Sequence, residues 1–143
     1  MGNSFILASD HAGYDLKEEL KFYLVNKNFK VKDLGSFNKD SVDYPDYGKL
    51  LGDFVIKNKN CIGIAICGSG IGISIALNRI SGIRAALCHN TEMAKLAKNH
   101  NNANVLVLGG RFITLESAIK LVETFNNEDF EGGRHKRRVD KLN

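Results

Sequence analysis

The 143-residue sequence has few cysteines, a single proline and no long apolar run. Its three cysteines, Cys61, Cys67 and Cys88, are odd in number and lack CxxC spacing, so neither a disulfide framework nor a structural zinc site is expected. No apolar stretch approaches the roughly 20 residues needed to span a bilayer, and we expect no signal peptide before the first predicted strand. We therefore expect a protein of the reducing cytoplasm, without membrane contact.

The overall composition is that of an ordinary globular protein. Apolar residues make up 43% and charged residues 25% of the chain, and the length predicts one domain, residues 1–143, without repeats or linkers. The net charge of +4 is concentrated in a basic C-terminal segment, residues 130–143. Such a run is more often a solvated face or a nucleic-acid contact than part of a catalytic site.

Short apolar runs alternate with segments that carry apolar residues at helical spacing, which predicts a parallel sheet covered by helices on both faces. Pro45 is predicted in a loop that leads into the second helix. Ligands of such sheets bind beyond the carboxyl ends of the strands, so polar residues that follow a strand are the candidate site. The predicted strands are Phe5–Ala8, Ile62–Ile66, Ile83–Leu87 and Val105–Leu108, with a weaker Phe29–Val31.

The most informative segment begins where the run Ile62–Ile66 ends at Cys67. Gly68, Gly70 and Gly72 follow at alternate positions, and a helix-compatible stretch comes next, so we expect a strand, a tight turn and a helix N-terminus. Unpaired backbone N–H groups and the helix dipole favour an anion there, and the same field stabilises a thiolate. The loop thus combines a nucleophile or base with an anion site, unless Cys67 is an inert buried thiol.

Two nucleotide-binding classes are disfavoured by this loop. Its glycine spacing is not GxGxxG, no acidic residue ends a strand about 20 positions later, and no Walker lysine follows the glycines. We interpret the loop as an oxyanion or phosphate cradle, and Cys61 and Cys88 as packing residues.

Three further polar residues are candidates. Asp10 and His11 directly follow the first predicted strand, either as a helix N-cap with an exposed histidine or as a substrate-binding pair. His100 lies in a polar turn between a helix and a strand, where it is an acid/base candidate, although the asparagines around it could simply form a helix C-cap and turn. No spacing of histidines and carboxylates singles out a metal site.

Six blocks of the sequence together resemble one enzyme family, the type B ribose-5-phosphate isomerases, whose relatives include galactose-6-phosphate and allose-6-phosphate isomerases. The blocks occur in the family's order and extend from residue 9 to residue 139. They are Ser9–Gly13, Asp43–Asp46, Cys67–Gly72, Arg84–Ala86, His100–Leu106 with Gly109–Arg111, and Phe130–Val139.

The resemblance implies a Rossmann-like three-layer α/β/α sandwich, here with a five-stranded parallel sheet. It implies a homodimer, or a dimer of such dimers, with sites shared across the interface. The implied reaction interconverts ribose 5-phosphate and ribulose 5-phosphate through a cis-enediolate, without metal or organic cofactor. The implied partners are a sugar-phosphate substrate and a second copy of the chain, with no nucleic acid and no membrane.

The resemblance also assigns residue roles. Cys67 is the base that moves a proton between C1 and C2, the Ser69 hydroxyl helps the loop to hold the enediolate oxygen, and His100 opens the furanose ring. Arg134 and Arg138 are four residues apart, so on a helix they could grip one phosphate together. The implied substrate-binding residues are Asp10, His11, Tyr44, Gly68, Gly70, Ile71, Gly72, Asn101, Arg111, Arg134 and Arg138.

The sequence departs from the family pattern in small ways. Ser69 stands where threonine is more common and keeps the hydroxyl, and Lys98 replaces a common arginine. One branch of the family uses a glutamate base where this chain has Ile73, so the chain resembles the thiol branch. Two alternatives stay open: a hexose-phosphate (allose 6-phosphate or galactose 6-phosphate) isomerase, and a non-catalytic protein that binds phosphosugars or nucleic acid.

Overall fold

A computed structural model describes residues 4–142 of the chain, which form one five-stranded, fully parallel sheet in the order β2-β1-β3-β5-β4. Strands and helices alternate as predicted, followed by a short basic helix. In chain order the elements are β1 Ser4–Ser9, α1 Tyr14–Asn26, β2 Lys30–Asp33, α2 Tyr44–Lys57, β3 Cys61–Cys67, α3 Ile71–Asn78, β4 Ala85–Leu87, α4 Thr91–Asn99, β5 Val105–Gly109, α5 Leu115–Asn127 and α6 Arg134–Asp140.

Side-chain alternation along the central strands builds a core on each face of the sheet. In β1, Phe5 and Leu7 pack with apolar residues of α1, α4 and α5, whereas Ile6 and Ala8 pack with those of α2 and α3. The middle strands are buried on both faces, as a doubly covered parallel sheet requires. The predicted three-layer Rossmann-like sandwich with five parallel strands is confirmed.

Three predicted boundaries were wrong. The strand predicted at Ile83–Leu87 is only Ala85–Leu87, because the N–H of Ile83 closes a turn onto the carbonyl of Ile80 while its buried side chain packs in the core. The weak strand lies at Lys30–Asp33 and not at Phe29–Val31. Pro45 lies in the first turn of α2, not in the loop before it, since a helix's first turn needs no donor from proline.

The predicted basic segment forms a helix at the edge of the fold. Both Arg134 and Arg138 lie on α6, where residues four apart project from the same face. Residues 1–3 and 143 of the predicted domain lie outside the described residues. Within residues 4–142, no helix is long and apolar enough to cross a membrane.

Candidate active site

The first group of predicted site residues, around Cys67, lies beside β1, where the strand connections change from one side of the sheet to the other. The two strands that follow β1 in sequence, β2 and β3, lie on opposite sides of it, which opens a crevice beyond the carboxyl ends of β1 and β3. In register, Ser9 pairs with Ile66 and Cys67 pairs with Gly109. The loops after β1, β3 and β5 therefore meet around Cys67.

The Cys67 thiol differs from the other two thiols in its hydrogen bonding. Its Sγ accepts a 3.2 Å hydrogen bond from the N–H of Gly70, and the residue is 4% exposed. The Cys61 and Cys88 thiols instead donate to backbone carbonyls, and burial raises the pKa of both, that of Cys88 to about 11. A donor aimed at sulfur stabilises negative charge there, whereas a carbonyl acceptor stabilises the protonated thiol. Of the three, Cys67 is the one placed to act as a base.

The turn after Cys67 presents donors to an anion. Gly70 has a φ of +79°, which side chains rarely adopt, and caps α3. The Ser69 Oγ accepts from the N–H of Ile71 at 3.1 Å. The N–H groups of Gly72 and Ile73, in the first turn of α3, have no intrahelical acceptor. The predicted tight turn and helix N-terminus are thus present, and the oxyanion or phosphate cradle stays a prediction.

Two predicted substrate-binding side chains lie against this loop. The Arg111 guanidinium covers Gly68, since a Cβ there would lie 2.9 Å from Arg111 Nη1, and the Arg111 N–H donates to the Gly68 carbonyl at 3.0 Å. The Tyr44 ring lies against Gly72, where a Cβ would be 2.6 Å from the ring. Neither glycine can be replaced without displacing a neighbouring side chain. Ile71 projects into solvent beside them.

Asp10 and His11 each stabilise a loop at this edge. The buried carboxylate of Asp10 accepts from the N–H of Gly13 at 3.0 Å, and Gly13, not Asp10, is the N-cap of α1, so the N-cap alternative was wrong. His11 is partly buried and not exposed, with Nδ1 3.1 Å from the backbone N of Val42, which ties it to the loop before α2. A substrate-binding role for the pair stays a prediction.

A second group of predicted site residues lies beyond the amino ends of the strands, at the end of the sheet opposite Cys67. Because α4 joins two parallel strands, it runs back towards their amino ends, where His100 caps it. The loop after it is bonded to the start of β4, with the N–H of Asn104 3.0 Å from the Arg84 carbonyl. Strands of 5 to 7 residues rise about 3.3 Å per residue, so about 16–23 Å separates the two edges. His100 and Cys67 of one chain therefore do not share a site.

His100 stacks on a second histidine beside a carboxylate. The rings of His100 and His135 have centroids 4.1 Å apart and planes 14° apart, and Glu131 Oε1 lies 3.9 Å and 3.6 Å from their Nε2 atoms. Burial and the neighbouring His100 and Arg134 side chains lower the pKa of His135. These three residues could hold a metal ion. The sequence did not identify Glu131 or His135, because Glu131 precedes α6 and the two glycines between them have positive φ, so helical spacing gives no signal for the pair.

The predicted phosphate ligands lie in the same group. Arg134 and Arg138 are exposed on α6, and Asn101 is exposed next to His100. None of the ion pairs formed within residues 4–142 involves either arginine, so both guanidinium groups are available to an anion.

The cavities of the surface do not by themselves identify the group of residues around Cys67. Two cavities of about 520 and 330 Å³ open at the amino ends of the strands and share Lys59 and Cys61 in their walls. Neither contains Cys67 or its glycine turn. The chemistry of the Cys67 loop, and not the size of a pocket, identifies the first group.

Known proteins match the chain over nearly its whole length. The profile of the Ribose/Galactose Isomerase family matches residues 5–142. The chain is 40% identical to the ribose-5-phosphate isomerase B of Escherichia coli over 133 residues, which cover 93% of this chain and 89% of that protein.

Solved structures agree with the sequence relatives. A ribose 5-phosphate isomerase of Thermotoga maritima superposes with a TM-score of 0.97 at 49% identity, covering 99% of this chain and 98% of that one. A ribose-5-phosphate isomerase B of Mycoplasma genitalium with bound ribulose-5-phosphate superposes with a TM-score of 0.92 at 45% identity, covering 97% and 93% of the two chains. These matches, together with the fold and the Cys67 loop, show that the chain belongs to the ribose/galactose isomerase family.

Proposed function

We propose that this isomerase interconverts ribose 5-phosphate and ribulose 5-phosphate, with Cys67 as the base. The observation that carries the proposal is the Gly70 N–H directed at the Cys67 sulfur, within a loop of backbone donors at the crevice between β1 and β3. The pentose assignment rests on relatives of 40–49% identity that are named for ribose 5-phosphate, one of them with ribulose-5-phosphate bound.

The proposed chemistry moves one proton between two carbons. The Cys67 thiolate takes the proton from C2 of the open-chain aldose, and the electron pair forms the C1–C2 double bond while the C1 carbonyl oxygen becomes an oxyanion. The loop amides and the Ser69 hydroxyl hold the resulting cis-enediolate. The thiol then returns the proton to C1, and the O2 proton passes to O1, which leaves the C2 ketone and a C1 hydroxyl. A base of moderate pKa and donors at the developing oxyanion are what this reaction needs.

We propose that a second copy of the chain completes each site. In one chain, His100, for ring opening, and the arginines of α6, for the phosphate, lie in the group at the amino ends of the strands, whereas Cys67 lies at the carboxyl ends. These two ends of the sheet are about 16–23 Å apart, too far for one pentose phosphate to reach. A two-fold dimer that apposes the Cys67 edge of one chain with the His100 edge of its partner brings both groups to one substrate, twice.

Exposed apolar residues flank both groups, which supports such a dimer. On α3, next to the Cys67 loop, Ile71 and Ile75 are 57% and 52% exposed, four residues apart and so on one face. On α4, Met93 and Leu96 are exposed along the stripe that leads to His100. Faces of this kind are typical of protein–protein interfaces.

The test is an assay of the purified chain with ribose 5-phosphate, allose 6-phosphate and galactose 6-phosphate, with the Cys67→Ser variant as the blank. We expect the highest kcat/KM with ribose 5-phosphate. A higher value with either hexose phosphate would overturn the pentose assignment, and turnover of none would favour a binding protein.

A further inference from the structure

The cluster of His100, Glu131 and His135 gathers three metal-ligating side chains at one point. Their ligand atoms all lie within 4.8 Å of one another. His135 is buried and fixed on α6, whereas the side chains of His100 and Glu131 are 37% and 55% exposed and free to turn. The backbone holds the group together, because the N–H of Glu131 donates to the carbonyl of Asn99 at 3.0 Å.

Two imidazoles and a carboxylate suit a borderline divalent cation. Zinc sites with three protein ligands and one water commonly use this set, with bonds of about 2.0–2.2 Å, which puts ligand atoms about 3.3–3.5 Å apart. The observed separations from Glu131 Oε1, 3.6 and 3.9 Å, exceed that spacing by a few tenths of an ångström.

Two features of the cluster oppose a bound cation. The two rings are 14° from parallel, so His100 must turn out of the stack before its Nε2 lone pair can point at an ion held by His135. His100 is half-exposed, which permits that rotation. Arg134 and Arg138 flank His135 on α6, and their positive charge opposes a bound cation, although both guanidinium groups are exposed to solvent.

We propose that His100, Glu131 and His135 form a binding site for a borderline divalent cation such as Zn²⁺, and that the bound ion withdraws His100 from the sugar. The second half rests on the proposed function, in which His100 opens the ring. The cation is then an inhibitor of turnover and not a cofactor, and within one chain its site lies at the end of the sheet opposite the Cys67 loop.

Calorimetric titration of Zn²⁺ into the chelator-treated full chain tests the site. We expect one Zn²⁺ per chain, with affinity lowered about tenfold or more in both His135→Gln and Glu131→Gln, the scale seen even when a group supporting a metal ligand is removed. His89→Gln, an exposed histidine outside the cluster, is the matched control and should bind as the wild type does. Glu131 is exposed, so Glu131→Gln keeps the test valid if His135→Gln misfolds. Unchanged binding in Glu131→Gln and in a folded His135→Gln overturns the site.

Inhibition of the isomerase by Zn²⁺ tests the second half. The wild type and His89→Gln should be inhibited alike, and His135→Gln and Glu131→Gln should need about tenfold more Zn²⁺. Equal inhibition of all four would place the inhibitory ion elsewhere, for example on Cys67, and overturn the withdrawal of His100. Zn²⁺ that bound at the cluster without inhibiting the isomerase would also overturn the withdrawal of His100. If the chain turned over no sugar phosphate, the proposed function would fail while the titration still decided the site.

Discussion

The backbone N–H of Gly70 donates a hydrogen bond of 3.2 Å to the Sγ of Cys67, three residues earlier in the chain. Because the donor belongs to a fixed turn at the start of α3, it stabilises negative charge on sulfur without any rearrangement. The cysteine at the other end of the same strand, Cys61, lacks this arrangement and donates to the carbonyl of Asn58 instead.

Cys67→Ser should abolish isomerisation and leave the fold intact. A hydroxyl fits the buried position, but at neutral pH it provides almost no base. We expect kcat to fall well beyond tenfold, a step of about 1.4 kcal/mol in activation free energy. Cys61→Ser is the matched control and should keep full activity. Circular dichroism checks the fold, and a serine variant that retained more than about a tenth of kcat would exclude Cys67 as the base.

Arg134→Ala and Arg138→Ala should each weaken recognition of the substrate phosphate more than the chemical step. Each change removes a charged donor of about 1.5–3 kcal/mol, which corresponds to a KM raised about tenfold or more with a smaller change in kcat. Arg137→Ala, on the same exposed helix, is the control and should leave KM unchanged. If KM stayed the same in all three variants, the basic helix would be a solvated surface or a nucleic-acid contact.

His100→Asn should separate ring opening from proton transfer. An imidazole can both take and give a proton near neutral pH, as ring opening requires, and asparagine cannot. We expect the variant to lose turnover of cyclic ribose 5-phosphate and largely to keep turnover of an acyclic substrate. Parallel kcat/KM measurements on the two substrates decide the matter, and equal losses on both would remove ring opening from the role of His100.

The buried Lys17–Asp33 pair should dominate the acid sensitivity of the fold. Lys17 is fully buried, with Nζ 2.6 Å from Asp33 Oδ2. Asp33→Asn should lower the free energy of unfolding by about 3 kcal/mol, the low end for a broken buried pair, because Glu18 stays beside Lys17. Asp53→Asn, which breaks an exposed pair with Lys49, should cost under about 0.5 kcal/mol in a urea titration.

The Lys17–Asp33 pair also sets the direction in which the stability of the fold changes with pH. Burial alone would raise the pKa of Asp33, but hydrogen bonds from Lys17, Lys21 and the Gly35 N–H hold it below the ordinary 3.8. The stabilisation is therefore complete above the unfolded-state value and is lost as pH falls through the lowered one. The difference in stability between wild type and Asp33→Asn should shrink from pH 7 to about pH 3. A constant difference would contradict this linkage.

The features that sequence predicts well here are local. The strand ending at Cys67, the alternate glycines and the helix that follows are contiguous, so their patterns combine without knowledge of the rest of the fold. Strand order is not local, and no pattern in the sequence predicts the order β2-β1-β3-β5-β4. The placement of His100 and Cys67 at opposite ends of the strands does follow from the alternation of strands and helices, since His100 precedes a strand and Cys67 ends one.

The sequence also does not predict which charged side chains are buried. Lysine is almost never fully buried, so nothing distinguishes Lys17 from its exposed neighbours until Asp33 and Glu18 are seen around it. The contact of Glu131 with His135 depends on the turn at Gly132 and Gly133 before α6, and His100 joins the pair only through the packing of α6 beside the end of α4.

The central claim is that Cys67 and His100 of one working site come from different chains. Co-refolding Cys67→Ser with His100→Asn chains tests it, because a mixed dimer then contains one site with both native residues and one with neither. We predict that isolated heterodimers recover about half of wild-type activity, although each parent homodimer is inactive. Heterodimers confirmed by differential tagging that show no recovery would place both residues in one subunit and contradict the account.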